Sequence, residues 1–390
     1  MMLPIEESRK RVRRVQELLD AKGLDCALVY YDELSIANGW YLSGWCPQFE
    51  SGLLLVPKTG DAMVLGGPES EPFARSDSAI RETRNIPVFM VPEEEYPNAR
   101  ISSFAEVFAE VGSKRGVSSI GIVGMGRMPL AIYQDIQAQL TGKKLVDITT
   151  EFEAFRRIKS PFELEQIAKA FELGDAAFAA VPKPLRPGMT EYELAATAEH
   201  AGRRLGANWF GFKTIVAARE RANGCVPTPT ERKLSAGELV LFGCSFRYNG
   251  YACAVGDTLT VGAEPTPAQR QVLSDLAQAL SITKDMLRVG KTGREIDTPA
   301  RRFFKEKGYL DYLICPFAHT IGLNEAEAPF FGPHSSDVLQ ENMAVCIDVS
   351  FFNHPEFYGV RVETGYRITA DGPVPFSPTM EKAILSHVKK

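Results

Sequence analysis

Asp348 stands in the apolar run from Val345 to Phe351, where an unanswered carboxylate is costly. Glu363 is embedded in the same way in GVRVE, two positions after Arg361. In a strand that spacing puts both side chains on one face. Buried carboxylates persist where a metal ion, a proton or a cationic group answers them. An imidazole with comparable context is His319 in HTIGLNEAEAP, followed by Glu325 and Glu327; His200, His334, His354 and His387 lack such surroundings.

A histidine with two strand carboxylates supports two chemistries. In one, no metal takes part: His319 is the general acid and base, and Asp348 or Glu363 orients it or binds a guanidinium or amidinium group. In the other, His319, Asp348 and Glu363 hold a single Mn, Fe or Zn ion with open positions. A minor third route makes Cys225 the nucleophile, although free cysteine is more often an inert buried hydrophobe. A purely structural alternative pairs Arg361 with Glu363, which leaves Asp348 unexplained.

These residues need a scaffold, and an internal repeat supplies it. Gly188-x-Thr190-x-x-Glu193 opens a helix and recurs as Gly290-x-Thr292-x-x-Glu295; in both, Thr is a natural N-cap and Glu completes a capping box. AGELVLFGCSF (236–246) aligns with ENMAVCIDVSF (341–351), and Gly250–Ala254 aligns with Gly359–Glu363. Residues 152–390 therefore read as two βα halves about a pseudo-two-fold axis. Gly243 and Ala254 occupy the places in one half that Asp348 and Glu363 occupy in the other.

Residues 1–151 alternate short apolar strands (26–31, 51–57, 62–65, 119–123) with helices (6–22, 101–112, 129–140), the pattern of an α/β domain. The arginines and lysine of the first helix read as a solvated face. GIVGMG (121–126) has the wrong spacing for a dinucleotide loop, and Lys291–Thr292 lacks the first glycine of a P-loop.

A formal charge of −5, from 44 basic and 49 acidic side chains, argues against a nucleic-acid surface. No apolar run approaches a membrane span, the first residues are too charged for a secretory signal, and seven scattered cysteines form no CxxC pair. The expectation is a cytoplasmic enzyme with a small-molecule substrate and no nucleic-acid or membrane partner.

RIKSPFELEQI, the two helix starts, YNGYA, HTIGLNEAEAP and GVRVE resemble the pita-bread superfamily of methionine aminopeptidase, aminopeptidase P, prolidase and creatinase. YLSGW and the apolar strand pair after it resemble the creatinase-type N-terminal domain. The resemblance implies an α/β (α+β) fold: that domain over 1–151, then a pita-bread domain over 152–390. The family's peptidases hold two metal ions with Asp, Asp, His, Glu and Glu. Carried over, these fall on Gly243, Ala254, His319, Asp348 and Glu363, so a dinuclear centre is not expected. The histidine of the family's HE pair falls on Ala326, while Glu327 is kept.

Creatinase, which works without metal, shares a non-ligand followed by Cys at Gly243–Cys244 and has Ala at the position of Ala254. Its catalytic histidine falls near Cys225 or Val226, and its substrate-binding Glu falls on Gly256, beside Asp257. The resemblance thus implies a creatinase-like hydrolase of a C–N bond in a small guanidino, amidino or amide substrate, with no metal. His319, Asp348, Glu363 and Glu327 are its catalytic candidates; Arg361, Asp257, Cys225 and Tyr251 are its substrate-binding candidates. One alternative is an Xaa-Pro dipeptidase or aminopeptidase with a mononuclear site. The other is a non-catalytic scaffold for a ligand or partner, against which the retained buried carboxylates argue. Family members with this N-terminal domain form homodimers, which makes residues 30–33 and 41–50 candidates for lid and specificity elements, or else surface loop and core.

Overall fold

The computed structural model describes residues 3–388 except Phe49, residues 113–115 and Thr141. Phe49, within the 41–50 candidate segment, therefore lies outside the described residues. The chain forms two compact units, Met1–Arg156 and Arg157–Lys390.

In the first unit, strands β1 (Cys26–Asp32), β2 (Ser51–Pro57), β3 (Met63–Gly66), β4 (Thr83–Asn85), β5 (Ser119–Val123) and β6 (Lys144–Asp147) form one sheet in the order β4-β3-β2-β1-β5-β6. The pairs β1–β2 and β2–β3 are antiparallel and the others parallel. Helices α1 (Ile5–Lys22), α2 (Ala37–Ser43), α3 (Glu71–Asp77), α4 (Phe104–Val111), α5 (Leu130–Gln139) and α6 (Thr149–Ala154) complete it. Leu28, Leu53, Ile120, Ile122 and Phe104 form its apolar core. The short α2 and α3, seven residues each, are too brief to show an amphipathic period in sequence. Through α2, Tyr41 and Leu42 enter the core, which decides that part of the 41–50 segment as interior.

One expected surface side chain is inside. Arg11 of α1 is buried, donates to the Tyr41 carbonyl at 2.7 Å and lies 4.4 Å over the Tyr41 ring. It shares its stripe with Val15 and Leu19, four and eight residues on.

The second unit is built on β7 (Trp209–Ala218), β8 (Leu239–Tyr248), β9 (Tyr251–Ala252), β10 (Val255–Thr260), β11 (Ala318–Thr320), β12 (Glu327–Phe330), β13 (Ala344–His354), β14 (Tyr358–Thr369) and β15 (Gly372–Pro375). The order is β12-β11-β13-β14-β10-β8-β7, with β15 on β14 and β9 on β8. From the centre outward, β14-β13-β11 mirrors β10-β8-β7, and the halves meet at the register pair Gly256–Glu363. Helices α7 (Pro161–Ala180) and α8 (Glu191–Arg204) belong to one half, α9 (Pro267–Met286) and α10 (Gly293–Lys307) to the other, and α11 (Pro378–Leu385) closes the chain. Thr190 caps α8 and Thr292 caps α10 with complete capping boxes. The helix starts read from sequence thus repeat in structure, but the strand register sets Gly256, not Ala254, opposite Gly243 as Glu363 stands opposite Asp348.

Candidate active site

The site begins as one row across the sheet. Ile215, Gly243, Gly256, Glu363 and Asp348 are successive register partners on β7, β8, β10, β14 and β13, and directly opposed residues share a face. A Cβ built on Gly256 would stand 3.3 Å from Arg361 Cδ and 3.5 Å from Glu363 Cβ, so that strand leaves room for the groups beside it. A Cβ on Gly243 would stand 3.4 Å from Ile215 Cδ1. An apolar side chain therefore borders Gly243, the position that answers to Asp348 in the other half.

His319 comes from β11. Its Nδ1 donates to the Thr320 carbonyl at 3.0 Å, which turns Nε2 inward, 3.7 Å from Glu363 Oε1 and 3.8 Å from Glu325 Oε1. Donor atoms of His319, Glu325 and Glu363 all lie within 4.8 Å of one another. Glu363 Oε1 is buried with no hydrogen-bond partner among the described residues. Burial alone would lower the His319 pKa, but Glu363 and Glu325 outweigh it and raise it to about 9. Burial, and then the charge of Asp348, raises Glu363 to about 7 against the opposing pull of His319. Burial also raises Glu325. The cluster holds more negative charge than it can keep without a proton or a cation.

Glu325, not Asp348, completes the three-residue set. Asp348 is turned to Arg361, whose Nε lies 3.1 Å from its Oδ1. Burial opposes the charge on Arg361, but Asp348 and Glu363 outweigh it and hold the guanidinium protonated. The ion pair expected between Arg361 and Glu363 is thus between Arg361 and Asp348. Glu325 lies in the bend between β11 and β12, where strand alternation gives no direction. Its spacing from Glu327 offered no means of choosing between them.

The remaining candidates spread out. Glu327 is held by Lys159 Nζ at 3.0 Å and accepts from the Asn324 amide at 3.1 Å, outside the His319 set. Asp257 follows Gly256 and so faces the other side of the sheet, where His387 Nε2 is 3.1 Å from its Oδ1. Tyr251 donates to Glu163 on α7 at 3.3 Å. Cys225 remains beside the site, accepting from Arg361 Nη2 at 3.4 Å. Burial raises its pKa despite Arg361, which opposes a nucleophilic thiolate.

Comparison with known proteins fits this geometry. Residues 165–370 match the model of metallopeptidase family M24, and residues 11–158 match the creatinase/prolidase N-terminal domain. The chain belongs to metallopeptidase family M24. This M24 chain is 26% identical over 365 residues to the Xaa-Pro dipeptidase of Pyrococcus furiosus, covering 93% of this chain and 96% of that one. It is 31% identical over 265 residues to the Xaa-Pro dipeptidase of Lactobacillus delbrueckii subsp. lactis, covering 67% and 72%. The prolidase of Pyrococcus horikoshii superposes with a TM-score of 0.81 at 23% identity, over 95% of this chain and 98% of that chain. The X-Pro aminopeptidase of Thermotoga maritima gives 0.81 at 23%, over 94% and 97%. The pita-bread fold is therefore established, and M24 membership makes the protein a hydrolase of C–N bonds.

Family M24 implies a metal. Two donors each ~2.1 Å from one ion lie ~3–4 Å apart, and the spacings around His319 Nε2 fit that. The fit is to a single ion. Gly243 and Ala254 offer no side-chain donor for a second, and Ile215 packs beside Gly243.

Proposed function

We propose that this M24 protein hydrolyses the amide bond of a small Xaa-Pro-type peptide at a mononuclear centre held by His319, Glu325 and Glu363. The observation that supports it is the convergence of these three donors on a buried Glu363 oxygen that has no hydrogen-bond partner among the described residues. The printed names of the relatives support the substrate class. A divalent ion at this set would act as a Lewis acid toward the scissile carbonyl.

The chain's own groups do the rest. Thr320 holds the His319 ring in the tautomer that presents Nε2. Arg361 neutralises Asp348 and places a fixed positive charge at the edge of the site, suited to a substrate carboxylate. Glu325, the partly exposed member of the set, would hold the ion on the open side of the site.

The creatinase-type reading, with His319 as a metal-free acid and base, uses the same cluster and draws on the resident guanidinium of Arg361. Metal dependence separates the two. The protein would be purified without chelator, its metal measured by mass spectrometry, and Xaa-Pro dipeptides and guanidino compounds assayed before and after chelation. About one Mn, Fe or Zn per chain, lost together with dipeptidase activity in Glu325→Gln and Glu363→Gln, is the expected result. Turnover that survives full metal removal would overturn it. The same proposal includes a homodimer in the cytoplasm. No helix among the described residues is long and apolar enough to cross a membrane, and light scattering reads the dimer directly.

A further inference from the structure

The first unit carries a second cluster of carboxylates with no cationic side chain in its described lining. Glu50, 9% exposed, lines a cavity of about 400 Å³ with Trp45, Phe73, Glu69 and Asp77. Both Glu50 carboxylate oxygens are buried with no hydrogen-bond partner among the described residues. The carboxylate lies over the backbone at Gly67, where a Cβ would stand 3.1 Å from Oε1. The described lining contains no lysine, arginine or histidine, so the acids there face one another rather than a cation. Burial raises the Glu50 pKa against the nearby Ser70 hydroxyl, and the charge of Glu69 adds to the rise.

Trp45, Pro47 and Phe73 give the cavity apolar wall beside the polar Gln48 and Ser70. Trp45 is held in place by an edge-on contact with Tyr31, ring centroids 6.4 Å apart, and Phe73 is 61% exposed at the mouth. Aromatic faces attract cations, and a buried carboxylate with free lone pairs calls for N–H donors. A bare metal ion would have little use for Trp45 and Phe73, and a quaternary ammonium would leave the Glu50 oxygens unpaired. We propose that this cavity binds a small organic cation, an alkylammonium or alkylguanidinium, with its charged head on Glu50 and its chain against Trp45 and Phe73. Its described lining residues all lie in the first unit.

Calorimetric titration of the full chain with n-butylguanidinium and n-butylammonium, against n-pentanol and tetramethylammonium, tests this. One cation per chain is expected, with both comparison compounds about tenfold weaker or worse. Glu50→Gln should weaken the cations about tenfold or more. Phe73→Ala, at an exposed position that leaves folding intact, should weaken them a few-fold. Glu363→Gln should leave binding unchanged. Absence of cation binding, or affinity retained in both Glu50→Gln and Phe73→Ala, overturns the proposal. So does affinity lost in Glu363→Gln and kept in Glu50→Gln, because the cation would then occupy the His319 cluster.

Discussion

Lys159 and Glu327 form an ion pair at 3.0 Å with side chains only 1% and 4% exposed. Lys159→Met leaves Glu327 buried beside an apolar side chain, and breaking such a pair costs about 3–5 kcal/mol. Glu327 retains the Asn324 amide at 3.1 Å, which places the loss toward the lower end, about 3 kcal/mol. For a unit of this size each kcal/mol moves the melting temperature by ~2–4 °C, so a fall of ~6–12 °C is expected. Glu327→Leu should fall similarly, because it removes the buried lysine's carboxylate partner. The double variant should recover most of the loss, because no charge is then left uncompensated. Gly322 tightens the test: a Cβ there would stand 2.8 Å from both Lys159 Nζ and Glu327 Oε2, so Gly322→Ala should resemble the single variants. Denaturant melts of the four proteins give the coupling energy. Single variants within about 1 kcal/mol of wild type, or a double variant that loses the sum of both, would refute the reasoning.

Glu238 is gripped by Arg219 at 2.5 Å, Arg232 at 2.7 Å and the Ser235 amide at 3.0 Å. Against the opposing effect of burial, these hold its pKa at about 2, below the ordinary 4.5. Its stabilisation is therefore complete above pH ~4.5 and lost as pH falls toward 2, by about 3 kcal/mol. Glu238→Gln should flatten that acid limb in pH-dependent melts. Asp257 raises the His387 pKa against the effect of burial, so that contact stabilises below the ordinary histidine pKa and fades as pH rises through the raised one. His387→Phe should remove this alkaline loss, read as hydrogen exchange in α11. Gly359→Ala places a Cβ 1.8 Å from the Ala222 carbonyl oxygen, a backbone atom that cannot step aside. A loss of about 3 kcal/mol or more is expected by thermal melt.

Local signals were legible. Thr190 and Thr292 cap helices because a capping box spans only four residues, and Asp348 marked the site because an acid inside an apolar strand has few explanations. Arg11 was misplaced on the solvated face: its charge was weighed above the stripe it shares with Val15 and Leu19, which carries it inside. Asp257 could have been set aside by alternation from Gly256. What sequence could not convey was contact across strands and direction within bends. The Arg361–Asp348 pair requires the β13–β14 register, which sets Ser350, not Asp348, opposite Arg361. Glu325 requires the path of the chain between β11 and β12.

The packing of Ile215 beside Gly243 bears on how this branch can change. An aspartate at 243 alone would bring a charge against a hydrocarbon side chain and lose stability before gaining any ligand. Clearing Ile215 first would open a void without benefit, and Ala254 would still lack its oxygen. Each single substitution would cost stability without completing a second site. A two-ion centre here would demand several coordinated substitutions, so the polar chemistry of this sheet is confined to the half that carries His319, Asp348 and Glu363.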